Sequence, residues 1–170
     1  MPPSESTGAT GRRPPTAEDF PRTGPFSLAA PGPRFGARAV DLALVMAPAA
    51  IVVAFTARTV GGQVRLDIPV WLGPALIALG VAYEWVSVMV AQRTIGKALF
   101  GLRLVRYADG GRPTTAQSLL RALVPWSVLA LPLGPFVVAA FLGIYGTGIG
   151  GSLHRGWPDI AGGTLVLSTR

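Results

Sequence analysis

The chain has 170 residues, half of them hydrophobic and only 14% charged, where an ordinary soluble domain carries about a quarter charged residues. With a mean hydropathy of +0.48, this composition excludes a typical water-surfaced globule and points to lipid as the solvent. Fifteen Lys and Arg against eight Asp and Glu give a net charge of +7, but the cations gather beside apolar runs, as cytoplasmic loops of membrane proteins do, so nucleic acid is not expected as a partner.

In chain order, residues 1–33 are rich in Pro, Gly, Ser and Thr and show no periodicity, which predicts a disordered tail. They hold no apolar signal-peptide region, so insertion is expected to rely on the first span itself. That span is expected over about residues 38–57, close to the roughly 20 residues that cross a hydrocarbon core about 30 Å thick. It carries one acid, Asp41. A carboxylate at membrane depth needs a partner or water. Arg34 and Arg38 precede it by seven and three residues and fall near its face at 100° per residue. The group is either an ion- or proton-linked pair or a structural clamp whose Arg snorkels to the headgroups.

Residues 58–69 read as a short, weakly charged outer loop. The second span is expected over 68–91, with Trp71 in the interface belt and Glu84 as its one charge. Two alternatives stand for Glu84. It shares a polar cleft with Asp41, a pairing that suits proton or cation handling, or it pairs with Arg38 or Arg93 and ties two helices together.

Residues 92–121 form the most basic stretch, with Arg93, Lys97, Arg103, Arg106, Arg112 and Arg121 against Asp109 alone. This places the loop, and with it the N-terminus, in the cytoplasm. Lys97 and Arg103 either fix that orientation or bind anionic lipid headgroups or a phosphorylated solute. Within the loop, GLRLVRY from Gly101 to Tyr107 predicts a short strand and Asp109-Gly110-Gly111 a tight turn. A helix is expected to start at Thr114 or Thr115 with a Thr N-cap.

From Ala122 to Leu153 no residue is charged. One straight helix of that length would run about 48 Å, too long for the bilayer, so a break is expected at LPLGP, Leu131 to Pro135. Either a short interfacial helix precedes a single span, within a third segment over about 122–150, or two short helices make a hairpin. Thr164 to Ser168 reads as a strand. Gly146, Gly148 and Gly151 spell a G-x-G-x-x-G, but no strand precedes it and too little chain follows for a dinucleotide fold. Close helix packing, helped by Ala139-x-x-x-Gly143 and Gly146-x-x-x-Gly150, or a Gly-rich exit is the expectation there.

Three blocks in order carry a resemblance. RFGARAVD holds Arg34 and Asp41; TIGKALFGLRLVRYADGGRPTTAQSLLRALV holds Thr94, Gly96, Lys97, Gly101 and Arg121; DIAGGTLVL holds Asp159 and Thr164. Together they resemble the RDD family of small polytopic bacterial membrane proteins, over about residues 34–167. The resemblance implies that the basic loop and the C-terminal block lie on one, cytoplasmic side, which favours the hairpin. The chain departs from the family pattern at Pro158, where His often precedes the last Asp; its own His154 lies five residues earlier.

The expected fold is an all-α polytopic membrane protein: two clear spans, a third Pro/Gly-broken span or short hairpin, and a small cytoplasmic strand and turn. Arg34, Arg38, Asp41, Glu84 and Asp159 are the candidate transport or structural ion pairs. A transporter component for an ion or small solute, acting through buried Asp and Glu in the cell membrane, is the first functional expectation. The alternative is an adaptor that recruits a partner protein or anionic lipid through its basic loop and tail. No nucleophile elbow, HExxH pair or P-loop is present, so no enzyme is expected. Without cysteine and with a single His, no metal or cofactor is expected either. Because so few helices enclose little space, a homo-oligomer or a membrane partner is expected.

Overall fold

The computed structural model describes residues 13–131 and 136–170. The first long helix, α1, spans Pro31–Thr56, about 39 Å at 1.5 Å per residue. It begins earlier than the predicted span because Pro31 occupies the first turn, where a missing N–H costs nothing. Its buried residues are Ala37, Arg38, Asp41, Val45 and Ala49, a narrow stripe at helical spacing.

Strands β1 (Ala57–Val60) and β2 (Gln63–Leu66) follow as an antiparallel hairpin with every residue exposed. The expectation for this stretch is a loop. Gly61 and Gly62 both take positive φ, 59° and 76°, the backbone that a two-residue hairpin turn requires, so Gly-Gly was the available signal.

Helix α2, Leu72–Ala91, buries Leu72, Gly80, Glu84 and Val88. Both α1 and α2 are long and apolar enough to cross a membrane, and only 17% of the most apolar stretch of each is buried. Side chains such as Phe55, Val70 and Val90 are largely exposed, which only a nonpolar surround makes favourable.

The left-handed Gln92 ends α2, and the five-residue α3, Ile95–Leu99, starts at the Thr94 cap. Gly101, at φ 63°, turns the chain into β3, Leu102–Arg106. Helix α4, Thr115–Val128, opens on a capping box formed by Thr114 and Gln117, the N-cap expected from sequence. Helices α5 (Phe136–Gly146) and α6 (Trp157–Ala161) lead to β4, Thr164–Ser168.

Strand β4 pairs antiparallel with β3, with Leu104 opposite Val166. The chain that leaves β3 through α4 therefore comes back to the same side. Helices α4 and α5 run about 21 and 16 Å, each shorter than the hydrocarbon core. Neither is long enough to cross it alone, which agrees with the hairpin alternative. The predicted breakers Pro132 and Pro135 lie outside the described residues, while Pro125 is accommodated within α4.

Two expectations need correction. The fold is helix-rich but not all-α, because it also holds two two-stranded sheets. The tail expected to be disordered over 1–33 is described from residue 13 and packs. Phe26 N–H donates to Ser168 O, Ser168 N–H to Ser27 O and Ala29 N–H to Val166 O, so residues 26–29 line the second edge of β4. Composition missed this because an unpaired strand edge recruits backbone, whatever the side chains. Residues 1–12 lie outside the described part.

The β3–β4 sheet separates two apolar clusters. One face, with Leu102, Leu104 and Val166, packs on Ala29, Ala37 and Val88. The other, with Val105, Leu165 and Leu167, is covered by Phe20, Leu28 and Leu153. A third cluster joins Val45, Trp126 and Phe141. There Gly80 lets α2 approach α4, since a Cβ would overlap the Trp126 ring.

Candidate functional site

Four cations and three carboxylates converge between these elements. The first turns of α1 bring Arg34, Arg38 and Asp41; α2 brings Glu84, α3 Lys97, α4 Arg121 and α6 Asp159. All but the half-buried Arg34 are buried.

Arg34 does not pair with Asp41, as helical spacing suggested. Its guanidinium reaches forward 125 residues to Asp159, with Nη1 3.0 Å from Oδ2, and also donates to the carbonyls of Ala29, His154 and Val166. Asp41 is instead held by three donors with no formal charge: the Tyr83 hydroxyl at 2.7 Å, the Thr94 hydroxyl at 2.5 Å and Gly96 N–H at 2.8 Å. It thereby satisfies an amide at the start of α3 that the helix itself leaves free. Gly96 is required here, since a Cβ would overlap the Ala37 carbonyl of α1.

Glu84 does not share a cleft with a second free carboxylate. Arg38 Nη1 lies 2.7 Å from its Oε2, and Lys97 Nζ and Arg121 Nε lie 3.8 and 3.9 Å from its Oε1. Arg38 is one of the two partners expected for Glu84, and Lys97 and Arg121 are added to it. Arg38 also lies over the Tyr145 ring, 4.4 Å from its centroid, and near Trp126 and Phe141, which favours a cation. Arg121 continues the network to Asp159 and, at 3.0 Å, to the Thr164 hydroxyl.

Lys97, the only lysine of the chain, is thus buried rather than on the surface. Burial pushes its pKa down to about 8, against the pull of Glu84. Burial likewise lowers Arg121, to about 10, so it stays charged at neutral pH. Arg103 remains exposed and donates to the Gln92 side chain. Gly101 serves the turn between α3 and β3 rather than the cluster.

A cavity of about 50 Å³ opens onto this cluster. Its lining includes Arg34, Arg38, Asp41, Lys97, Arg121 and Asp159, with Pro31, Phe35 and Ile149 among the apolar groups. Tyr145 and His154 also line it, neither of them a candidate from sequence; their only signal there is a polar side chain in or beside an apolar tract. His154 thus reaches the same cavity as Asp159 although not adjacent in sequence. Gly148 is pressed against the His154 and Gly156 backbone, whereas a Cβ at Gly143, Gly146 or Gly150 would meet nothing within 4 Å. Among the described residues, no side chain or backbone of another element therefore packs against these three glycines, which leaves the Gly-rich exit of the two readings. Among the described residues no cluster of three metal-ligating side chains occurs.

No curated protein and no solved structure is matched by the chain. The model of the RDD family matches residues 28–163, a span that takes in every charged member of the cluster and stops just short of Thr164. That match covers most of the sequence and agrees with two membrane-length apolar helices, so the chain is a membrane protein and belongs to the RDD family.

Proposed function

We propose that this RDD protein is a component of a transport system for a small charged solute, with the cavity beside the charge cluster as the solute site. One observation carries the reading: seven charged side chains from five helices converge in the interior, beside a cavity, rather than on the surface. Buried ion networks are poor stabilisers compared with apolar packing, and ionisable groups within membrane spans commonly mark a pathway. In this proposal Asp41 and Glu84 act as fixed counter-charges that hold the cations in place, not as proton carriers.

The cell membrane is the proposed location, with the sheet and the N-terminal segment in the cytoplasm. Lys97 and Arg121 point inward and no longer support that orientation, but Arg93, Arg103 and Arg112 are exposed near the sheet and do. Two full-length helices and a short pair cannot enclose a path by themselves, so a second copy or another membrane protein is part of the proposal. No catalytic step is part of it.

The test is flux into proteoliposomes containing the full chain, with a panel of inorganic ions and small organic acids. Solute entry above that of protein-free liposomes, reduced about tenfold by Lys97→Gln with native circular dichroism, is the expected result. Entry indistinguishable from empty liposomes for every solute would remove the transport reading. The adaptor reading would gain from capture of one defined protein that depends on the exposed Arg93, Arg103 and Arg112.

A further inference from the structure

The charge balance of the cluster gives the sign of its ligand. Arg34, Arg38, Lys97 and Arg121 stand against Asp41, Glu84 and Asp159, an excess of one positive charge in a buried site. The acceptors are also heavily used. Asp41 takes three donors, and Asp159 takes Arg34, Arg121 and Thr164. Glu84 faces three cations, but only its Oε2 is hydrogen-bonded; Oε1 is buried without a hydrogen-bond partner and lies outside the cavity lining.

The donors, in contrast, are in surplus. Among the described residues that line the cavity, Arg38 Nε and Nη2, Arg121 Nε, Tyr145 Oη and His154 Nδ1, a donor in the Nδ1–H tautomer, are buried without a hydrogen-bond partner; Arg121 Nε faces Glu84 Oε1 at 3.9 Å, beyond hydrogen-bond reach. Lys97 Nζ makes one long hydrogen bond, 3.5 Å to Thr94. Unmatched buried donors are costly, so a ligand that brings acceptors and one negative charge would satisfy what the protein leaves open. A cation would add to the excess.

We propose that the cavity binds a monovalent oxyanion of the phosphate class, held by Arg38, Lys97 and Arg121 with Tyr145 and His154 as further donors. This rests on the reading of the cavity as a ligand site and adds the ligand's sign and class. Guanidinium groups match the flat or tetrahedral faces of oxyanions, which a halide does not offer. A carboxylate brings two oxygens to these donors, a phosphate three or four. The cavity of about 50 Å³ has room for such a group, since one water needs roughly 10–15 Å³. The group is either free phosphate or the phosphodiester headgroup of a lipid whose chain lies along Pro31, Phe35 and Ile149.

The experiment uses the full chain purified in detergent at pH 7, with inorganic phosphate and potassium chloride as separate titrants in calorimetry. In parallel, the protein is reconstituted in phosphatidylcholine vesicles with and without phosphatidylglycerol, and retained lipid is read by native mass spectrometry. Tyr145→Phe removes one donor and leaves every ion pair in place; Lys97→Gln removes the excess charge. Saturable phosphate binding, absent with chloride and weakened several-fold by Tyr145→Phe and about tenfold by Lys97→Gln, supports a free oxyanion. Retained phosphatidylglycerol that both variants lose supports the headgroup. Neither ligand bound, or binding unchanged in both natively folded variants, overturns the inference. Binding without flux leaves this site standing and removes transport, whereas cation flux without either ligand does the reverse.

Discussion

Asp41 and Glu84 are each the single acid of a long apolar helix, both buried, and the protein holds them in different ways. Asp41 is surrounded by two hydroxyls and a backbone amide, so the carboxylate is solvated by dipoles fixed at the α1–α3 junction. Glu84 is surrounded by Arg38, Lys97 and Arg121, so it is held by charge. The first arrangement is local and geometric, and joins neighbouring elements. The second links four helices, and each member's charge depends on the others.

That difference is most directly broken at Glu84. Replacing it with Ala leaves three buried cations without their shared partner, and removal of one side of a buried pair costs about 3–5 kcal/mol. Unfolding in detergent followed by circular dichroism should show this, and adding Arg38→Met should recover part of the loss, because the two positions are coupled. Additive losses in the double variant would mean that the cluster is not held by charge.

The next effect is one of pH. Lys97 sits near 8 when folded, below its ordinary 10.5. At pH 9 the unfolded chain keeps this proton and the folded one has released it, so stability rises with pH between about 8 and 10.5, by at most about 1.4 kcal/mol per pH unit. Below pH 8 the contribution is flat. Lys97→Met should abolish the rise; a slope unchanged in that variant would assign the proton elsewhere.

Asp41→Asn is expected to cost less, about 1–3 kcal/mol, because the amide keeps one acceptor but turns a donor toward Tyr83 Oη, Thr94 Oγ1 or Gly96 N–H. Removing Arg38 should not repair it. Equal repair of both acids by Arg38→Met would erase the distinction between them. Smallest of all, Thr114→Ala loses the α4 cap, about 1 kcal/mol, and should leave ligand binding in the cavity unchanged.

Much of the scaffold was legible in the sequence. The long uncharged runs gave α1 and α2, the alternation in GLRLVRY gave β3, and Thr114 announced the start of α4. The charged site was legible only as a set of members. Helical spacing suggested that Arg34 serves Asp41, and the basic count turned Lys97 and Arg121 into loop charges. Both readings stopped at the near neighbours in sequence, whereas the partners lie 125 residues away for Arg34 and on another helix for Lys97. Likewise, TLVLS read as a strand, but nothing in it named β3 as its partner or residues 26–29 as its other edge.

The sequence by itself determined which segments seek lipid and where helices begin, because apolar length and capping chemistry act over a few turns of one helix. Only the tertiary structure decided which carboxylate each cation serves. Electrostatic partners are chosen by distance in space, and the return of the chain through α5 and α6 to the β3–β4 sheet is what brings Asp159 to Arg34 and Arg121.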